Sequence, residues 1–296
     1  MDIQPDHVAT EAGVFLWAMN SIGTVLGRFV GDLPSGAQGI GTGLVELERA
    51  AGYIGGGDLV IAAGRSGIGS TSFVLSIAQH VAVEERLPTV VATLDFIRSE
   101  LAIRVLACHS RLPLQALRTG QLSSSQRSVL SHAQARLRRA PITIDSVLRD
   151  CSAEELASRI GHEAHIRGAR LVVVDAAPNF SVFRDEASRA EELGLLVRLL
   201  KGLARREGAT VLTTWRVREF DQKPGRHRLP LRMDDLIGEA TDDADVVILI
   251  EQDPLFDGPA DIAELHVNIA KNRHAMPGRC ELGLLTASGA VVSLAA

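Results

Sequence analysis

Cysteines, apolar runs of membrane length and lysines are scarce in this chain. The first two scarcities argue against a disulfide framework, a cysteine metal site and a membrane-crossing helix. The three cysteines, Cys108, Cys151 and Cys280, are far apart and match neither a disulfide framework nor a metal-binding spacing. This pattern is typical of reduced thiols in a cytoplasmic protein. The uncharged stretch from Gly13 to Gly27 is shorter than the ~20 residues that a helix needs to cross a bilayer. The acidic residues 1–7 lack the positive charge that begins a signal peptide. We therefore expect a cytoplasmic protein without a membrane segment.

The charge balance excludes a uniformly basic surface. The 296 residues include 31 Lys or Arg and 36 Asp or Glu, a formal net charge of −5. This balance argues against a general nucleic-acid coat, although a local basic patch remains compatible with it. Only three of the basic residues are lysines, a skew that is typical of codon bias. With 46% hydrophobic residues, the chain can form the core of one large or two small domains.

The N-terminal segment predicts a helical arm. Apolar residues recur there at alternating spacings of four and three, which indicates one apolar seam on a helix over 8–30 despite the cost of Gly23. The residues of this seam are Phe15, Met19, Ile22, Leu26 and Phe29. Gly31–Gly43 contains five glycines and predicts a flexible linker. We thus expect an arm with its linker at 1–40 and one domain at 41–296. The seam packs either on its own domain or on a neighbouring subunit.

From residue 44 the chain alternates between strand-like and helix-like segments. The predicted strands are Leu59–Ala63, Thr89–Leu94, Ile142–Asp145, Leu171–Asp175, Thr210–Thr214, Asp245–Ile250 and Leu265–Ala270. Periodic segments at 70–85, 98–109, 123–139, 153–167 and 188–207 predict helices. Several strands are continuous Val/Ile/Leu runs, as expected for strands covered on both faces. The order predicts an α/β fold with a mostly parallel sheet and helices on both faces. Cys280–Leu285 and Val291–Leu294 predict a closing hairpin.

A glycine-rich turn follows the first of these strands. The pattern of a phosphate-binding loop is G-x-x-x-x-G-K-[ST], and Gly64, Gly69 and Thr71 have its spacing. Gly67 adds a further position at which the backbone can approach an anion, and the amides of the following helix point toward it. Ser70, however, occupies the position of the lysine. Arg65 is a nearby cation that could replace the lysine charge in part. The alternative is a strand-to-helix turn that binds no ligand.

Two carboxylates follow apolar strands. Asp175 ends the run Leu171–Asp175 in the manner of a Walker B aspartate, which holds Mg²⁺, while the Thr71 hydroxyl of the loop would be a second Mg²⁺ ligand. Asp95 ends the strand that we expect next to the loop strand. There it could orient an attacking water in phosphoryl transfer. The alternative for Asp95 is a helix cap or a turn.

A basic segment follows the strand at 210–214. Its six cations stand against two acidic residues, and they are Arg216, Arg218, Lys223, Arg226, Arg228 and Arg232. Pro224, Gly225 and Pro230 mark the segment as a long loop. Such a loop suits contacts to a nucleic-acid backbone, and a solvated charged loop is the alternative.

A second pair of cations ends the strand at 265–270. Lys271 and Arg273 are two residues apart, so their side chains project to the same side of a strand. In an oligomer the pair could reach a phosphate bound on a neighbouring subunit, as an arginine finger does. A surface pair is the alternative.

Taken together, these segments resemble the C-terminal motor domain of DnaB-type replicative helicases, which are hexameric RecA-like ATPases. The resemblance covers about residues 41–294, with its segments in family order. They are Thr42–Leu47, Gly57–Ala63 with the following loop, Thr93–Asp95, Leu117–Leu122, Leu171–Asp175, Asp243–Asp245 and Lys271–Arg273. It implies a RecA-like P-loop NTPase fold, ATP or another NTP with Mg²⁺, single-stranded DNA, and a homo-oligomer that is a ring or filament. An intact helicase paralogue is an alternative partner.

The motif positions at which this sequence differs from the family are those that bind nucleotide or DNA in the family. Ser70 replaces the Walker A lysine, Asp95 replaces a glutamate, and Trp215 stands where the family has a glutamine that senses the γ-phosphate. Asp235-Leu236 replaces an Arg-Glu pair that helps to contact DNA. The resemblance thus predicts a DnaB-like, nucleotide- and DNA-binding protein with a degenerate Walker A loop and weak or absent ATP hydrolysis. The alternative is an active ATP-dependent DNA helicase with a non-standard loop.

Overall fold

A computed structural model describes residues 8–9, 15–16, 39–52, 54–147, 151–179, 186–218, 230–237, 241–252 and 261–294. The chain divides into two compact units, residues 1–38 and residues 39–296. In the first unit, β1 (Val8–Ala9) pairs with β2 (Phe15–Leu16) in an antiparallel ribbon. The helix predicted over 8–30 is wrong at these four residues, which pair as strands; of the four, valine and phenylalanine favour extended backbone. The other residues of that prediction lie outside the described residues.

The second unit alternates strands and helices. Its first half contains α1 (Val45–Ala51), β3 (Leu59–Gly64), α2 (Ser70–Gln79), a π-helical turn (His80–Glu84), β4 (Thr89–Thr93), α3 (Arg98–Ser110), α4 (Leu114–Thr119), α5 (Ser124–Leu137) and β5 (Ile142–Ser146). Its second half contains α6 (Ala153–Arg167), β6 (Leu171–Asp175), α7 (Glu186–Glu207), β7 (Thr210–Arg216), β8 (Val246–Gln252), β9 (Ile262–Asn272), β10 (Arg279–Leu285) and β11 (Ala290–Ser293). The helices and strands predicted from residue 59 onward are confirmed, with ends that differ by a few residues.

Within the described residues, nine of these strands form one sheet in the order β11-β10-β9-β8-β3-β7-β6-β4-β5. The six strands from β8 to β5 are parallel to one another. β9, β10 and β11 continue the sheet with antiparallel pairing. The predicted mostly parallel sheet and its closing hairpin are therefore confirmed. No helix among the described residues is both long and apolar enough to cross a membrane.

Helices cover both faces of the parallel strands. Successive residues of β3 enter two different cores, with Ile61 on one face and Val60 on the other. The first core contains Leu156 of α6 and Leu196 of α7, and we call this side the α6–α7 face. The second contains Phe73 of α2 together with residues of α1 and α3, and we call this side the α1–α3 face. Every residue of β3 and β6 is buried, which explains their unbroken apolar sequences.

The beginning of the second unit is anchored to the domain. Gly39 forms an antiparallel bridge with Gly55, and the Ile40 amide donates a hydrogen bond of 3.2 Å to the carbonyl of Ile54. The Gly41 amide donates to Glu85 Oε1 at 2.8 Å. The flexible linker predicted over 31–43 is therefore wrong for 39–43, because backbone pairing holds 39 and 40 and the carboxylates of Glu85 and Glu48 accept from the amides of 41–43. Residues 31–38 lie outside the described residues.

Candidate functional site

Four strand ends meet at one edge of the sheet. Because β3, β4, β6 and β7 are parallel, their carboxyl ends bring Gly64, Thr93, Asp175 and Arg216 to the same edge. The prediction that Asp95 follows the strand next to the loop strand is wrong, since β7 and β6 lie between β3 and β4. Strands that are consecutive in sequence need not be neighbours in a sheet. β6 nevertheless places Asp175 between the two.

The glycine-rich loop closes tightly between β3 and α2. Gly69 has φ +104°, a left-handed conformation that glycine adopts without steric cost, and α2 begins at the next residue. A Cβ at Gly64 would lie 2.6 Å from Ile68 Cγ2 and 3.0 Å from Ser70 Oγ, so the loop folds directly over Gly64. The first amides of α2 have no carbonyl partner within the helix and carry its positive dipole end. The loop therefore has the backbone of an anion-binding turn.

The Asp175 carboxylate accepts hydrogen bonds from three threonine hydroxyl groups. Thr71 Oγ1 and Thr214 Oγ1 each donate to Asp175 Oδ1 at 3.0 Å. Thr93 Oγ1 donates to Oδ2 at 3.3 Å. The structure thus brings together Thr71 and Asp175, the two predicted Mg²⁺ ligands. Sequence reasoning missed Thr93 and Thr214, although a polar threonine near the end of an apolar strand was a signal for each.

Burial governs the protonation of this cluster. Asp175 is completely buried, and the burial raises the pKa of its carboxyl group above the ordinary value. The hydroxyl donors Thr71, Thr214 and Thr93 oppose this rise, while the negative charge of Asp95 adds to it. Asp95 itself accepts a hydrogen bond from Asn179 Nδ2. A buried carboxylate beside a second carboxylate and a hydroxyl fits a hard divalent cation such as Mg²⁺, because the cation would offset the burial of negative charge.

We expect Asp175→Asn to raise the free energy of unfolding at pH 8 by about 1 kcal/mol, since it removes a buried negative charge. The folded-state pKa of Asp175 lies above its unfolded-state value. The stability linked to its proton is therefore fully present below the unfolded-state pKa and is lost as the pH rises through the folded-state pKa. The gain should be smaller at pH 5 than at pH 8 in urea unfolding. An equal change at both pH values would contradict the pKa shift.

The two polar residues at the ends of the loop take different roles. Arg65 forms an ion pair of 3.4 Å with Glu251 on β8, and Glu251 also accepts from the Leu231 amide at 3.2 Å. Ser70 lies over Gly64 and carries no charge. The two described lysines lie elsewhere, because Lys201 and Lys271 bond to groups at the opposite edge of the sheet. The charge of the missing loop lysine is not replaced by another lysine among the described residues.

Trp215 is not brought to the loop. Its side chain is 2% exposed and belongs to the core of the α6–α7 face. Its Nε1 donates to the carbonyl of Ile237 at 2.7 Å. Alternation along β7 directs Thr214 toward Asp175 and Trp215 to the other face. Trp215 is thus a core residue that is hydrogen-bonded to the end of segment 230–237.

Lys271 and Arg273 lie at the opposite edge of the sheet from the loop. β9 is antiparallel to β8, so its end at Asn272 pairs with Val246 at the beginning of β8. Lys271 Nζ donates to the carbonyls of Thr241 at 2.7 Å and Asp242 at 2.9 Å. Arg273 forms an ion pair of 3.0 Å with the buried Asp245. Because the sheet separates them from the loop, these cations do not reach the phosphate loop of their own chain.

The described part of the basic segment flanks the carboxyl end of β7. Arg216, Arg218 and Arg232 are exposed. A bridge between Val217 and Leu236 and a hydrogen bond of 2.7 Å from the Arg218 amide to the Asp235 carbonyl hold both ends of the segment together. The other predicted nucleic-acid residues, Lys223, Arg226 and Arg228, lie outside the described residues.

A cavity of about 180 Å³ opens beside the loop. Gly67, Gly69 and Thr71 form one wall, and Arg104 of α3 forms another. The turn of the β10–β11 hairpin at Ser288–Gly289 closes the third side. The sequence placed the hairpin at the end of the sheet, but its contact with the loop follows only from the tertiary fold.

Sequence comparison relates this arrangement to known proteins. The sequence profile described as "DnaB-like helicase C terminal domain" matches residues 39–289. The chain is 26% identical to the replicative DNA helicase DnaB of Leifsonia xyli over 80% of this chain and 52% of that protein. It is 27% identical to the replicative DNA helicase DnaB of Geobacillus stearothermophilus over 86% of this chain and 57% of that protein. The chain therefore spans about half the length of these curated relatives.

Two solved structures share the fold. The first, described as an ATPase domain, superimposes with a TM-score of 0.80 at 21% identity, covering 94% of this chain and 100% of that one. The second, a DnaB-like replicative helicase whose structure was described with its interactions with primase, gives a TM-score of 0.76 at 22% identity. It covers 96% of this chain and 69% of that chain. At these identities the structural likeness establishes the fold alone.

Proposed function

Because the chain belongs to the family of DnaB-like helicase C-terminal domains, we propose that it binds a nucleoside triphosphate with Mg²⁺ at the loop Gly64–Thr71. We propose further that it acts as an oligomer on single-stranded DNA, in replication or a related DNA transaction, with weak or absent ATP hydrolysis. The observation that carries the proposal is the 3.0 Å contact between Thr71 and Asp175 beside an intact glycine loop.

The nucleotide part of the proposal depends on oxygen ligands and backbone amides. Thr71 and Asp175 offer hydroxyl and carboxylate oxygens, which are the ligands that Mg²⁺ prefers. The amides at the start of α2 offer donors to phosphate oxygens. Mg²⁺, when bound, supplies positive charge to the phosphate oxygens. The cavity of about 180 Å³ at Gly67 and Arg104 offers room for a further part of the nucleotide.

The proposal of weak hydrolysis rests on the charges that surround the loop. Phosphoryl transfer is catalysed almost entirely by positioning and charge stabilisation. Position 70 contributes no charge, and Arg65 is engaged by Glu251 at 3.4 Å. Trp215 is buried away from the loop at 2% exposure. In this proposal Asp95 would orient water, and Lys271 and Arg273 would act on a neighbouring chain.

The second candidate is an active ATP-dependent DNA helicase. Arg65 favours it, because its ion pair with Glu251 is only partly buried and could be exchanged for one with a phosphate. Steady-state ATPase measurements with and without single-stranded DNA separate the two candidates. Turnover of about one per second, a typical enzyme value, supports the helicase. Nucleotide binding without turnover supports the first proposal.

Charge reversal in the basic segment should weaken binding of single-stranded DNA. We expect Arg226→Glu combined with Arg228→Glu to lower the affinity about tenfold and to reduce its salt dependence. The variant makes two fewer phosphate contacts, so fewer counterions are released on binding. Fluorescence anisotropy of a labelled oligonucleotide over a salt series measures both effects. Reversal of the exposed Arg127 on α5 is the control. Unchanged affinity in the double variant would make the segment a solvated surface loop.

The arm is proposed to hold neighbouring chains together. We propose residues 1–40 as arm and linker and 41–296 as the RecA-like domain, while Gly39 and Ile40 already pair with the domain. A chain that begins at residue 39 therefore keeps this pairing and removes the arm alone. Light scattering that shows the same mass with and without residues 1–38 would contradict a role of the arm in assembly.

A further inference from the structure

A second cavity, of about 370 Å³, opens on the α1–α3 face where α2 ends. We call it the α2-end cavity. Gln79, His80 and Glu84 at the end of α2 and in the π-helical turn form its floor. His109 and Arg111, where α3 ends, form its side. None of the glycines of the phosphate loop lines it. Its volume lies at the lower end of the range of small-molecule pockets.

A buried amide group in the lining of this cavity has only a sulfur partner. Gln79 is 5% exposed, and its Nε2 has no nitrogen or oxygen partner among the described residues. A hydrogen bond from Gln79 to the Cys108 thiol opposes the rise that burial causes in the pKa of that thiol, but sulfur is a weak acceptor. Because buried amides are nearly always paired with strong acceptors, this donor favours a ligand that brings an acceptor oxygen into the cavity.

The charges around the cavity favour an anion. Arg136 donates to both carboxylate oxygens of Glu84, at 2.6 and 2.8 Å, so these two charges compensate each other. Arg111 makes no ion pair with a described residue, and its left-handed backbone (φ +55°) ends α3 at the cavity. Burial lowers the pKa of His109, with a further contribution from Arg136. Counted without the histidines, Arg111 and Arg136 against Glu84 leave the lining with one uncompensated positive charge.

The walls of the cavity are fixed by local structure. The helix α2 changes into a π-helical turn at His80–Glu84, a rare geometry that is frequent at functional sites. The opposite wall, residues 42–44, is held by Glu48, whose Oε1 accepts from the amides of Thr42 at 2.7 Å and Gly43 at 3.0 Å. A ligand would therefore meet a cavity that is already formed, which lowers the cost of ordering on binding.

We propose that the α2-end cavity binds a small phosphate-bearing molecule, with its phosphate group at Arg111 and the imidazoles and an acceptor oxygen on Gln79 Nε2. Donors approach the cavity from the end of α2, the π-helical turn and the end of α3, which suits a tetrahedral group with several oxygens better than a planar carboxylate. The site is separate from the nucleotide loop, and it stands whether or not that loop binds a nucleotide.

Inorganic phosphate is the probe, and histidine-selective NMR of the full-length chain is the readout. His80 and His109 line the α2-end cavity, whereas no described histidine lines the cavity beside the loop. Their signals are assigned with His80→Asn and His109→Asn. We expect both signals to shift and saturate by ~10 mM phosphate, tenfold above a millimolar Kd. Chloride at the same pH and ionic strength should leave them unchanged.

Variants locate the binding. Arg111→Gln should weaken phosphate binding about tenfold, because it removes a charge-assisted contact. Gln79→Met, which keeps the volume and removes the amide donor, should weaken it severalfold. Arg127→Gln on the exposed side of α5 is the matched control and should bind like the natural chain. Circular dichroism of each variant shows that it is folded.

Three results would overturn the proposal. The first is the absence of a shift at His80 and His109 at ~10 mM phosphate, and the second is an equal affinity in Arg111→Gln and in the natural chain. The third concerns selectivity: acetate that shifts both signals as strongly as phosphate would show that the cavity takes any small anion. Shifts that require phosphate and Arg111 together support the proposal.

Discussion

A Ser70→Lys chain should hydrolyse ATP at least ~10²-fold faster than the natural chain, because a single group that stabilises transition-state charge is worth roughly 10² to 10³ in turnover. The loop already has its other parts: Gly69 gives α2 a left-handed start, and Thr71 contacts Asp175 at 3.0 Å. The serine Oγ lies 3.0 Å from the position that a Gly64 Cβ would take. A lysine at this position would bring a positive charge to the loop at which we propose that the phosphates bind.

Steady-state ATPase of both proteins, with and without single-stranded DNA, measures this effect. Ser128→Lys places the same charge on an exposed position of α5, outside the loop, and is the control. We expect it to leave the rate near that of the natural chain. A natural chain that turns over at about one per second and loses this activity in Arg273→Ala would contradict the proposed silent site. It would support the active helicase instead.

Replacing Lys201 by methionine should lower the free energy of unfolding by about 3 kcal/mol, because breaking a buried ion pair leaves an uncompensated charge. Lys201 Nζ donates to Asp245 Oδ2 and, at 2.6 Å, to the carbonyl of Gly57. Asp245 is 1% exposed, and its Oδ2 also accepts from the Leu59 amide at 2.8 Å. Without the lysine, the carboxylate keeps Arg273, whose side chain is half exposed to water.

Urea unfolding of Lys201→Met measures this loss. Arg198→Met removes a cation from the exposed side of the same helix, α7, and should change the stability by less than about 0.5 kcal/mol. A loss in Lys201→Met as small as in this control would show that Asp245 is satisfied by Arg273 and the Leu59 amide alone. Comparing the two variants separates the effect of breaking a buried ion pair from the effect of removing one positive charge from α7.

Most of the fold could be predicted from the sequence, because long periodic segments carry their own signal. β6 was predicted with the same ends, and α6 at 153–167 as well, since Ser152 and Glu155 form a capping box. The short helices α1 and α4 were not predicted, because six or seven residues give too few turns to show a period. The helix predicted over 8–30 is wrong at its described residues even though its sequence is long enough to show a period. A helical period was present there, but the four described residues pair as strands.

The candidate site could be predicted only where spacing along one chain segment defines it. The loop at Gly64–Thr71 and the strand end at Asp175 follow such local patterns, and the structure brings Thr71 and Asp175 into contact. Contacts between distant segments had no local signal. The pairing of Arg65 with Glu251 and the burial of Trp215 therefore appeared only with the fold. The order of strands likewise has no local signal, which is why the sequence puts the strand before Asp95 next to β3, although two strands lie between them.

The placement of the loop and the Lys271–Arg273 pair at opposite edges of the sheet has a consequence for counting sites. If each loop is completed by the pair of the next copy, the contact joins two different surfaces of one chain, and it is heterologous. A closed ring of n copies then contains n complete sites. An open filament of n copies contains n − 1, with an incomplete loop at one end and an unused cation pair at the other. Tightly bound nucleotide per chain would therefore equal one in a ring and fall below one as filaments become shorter.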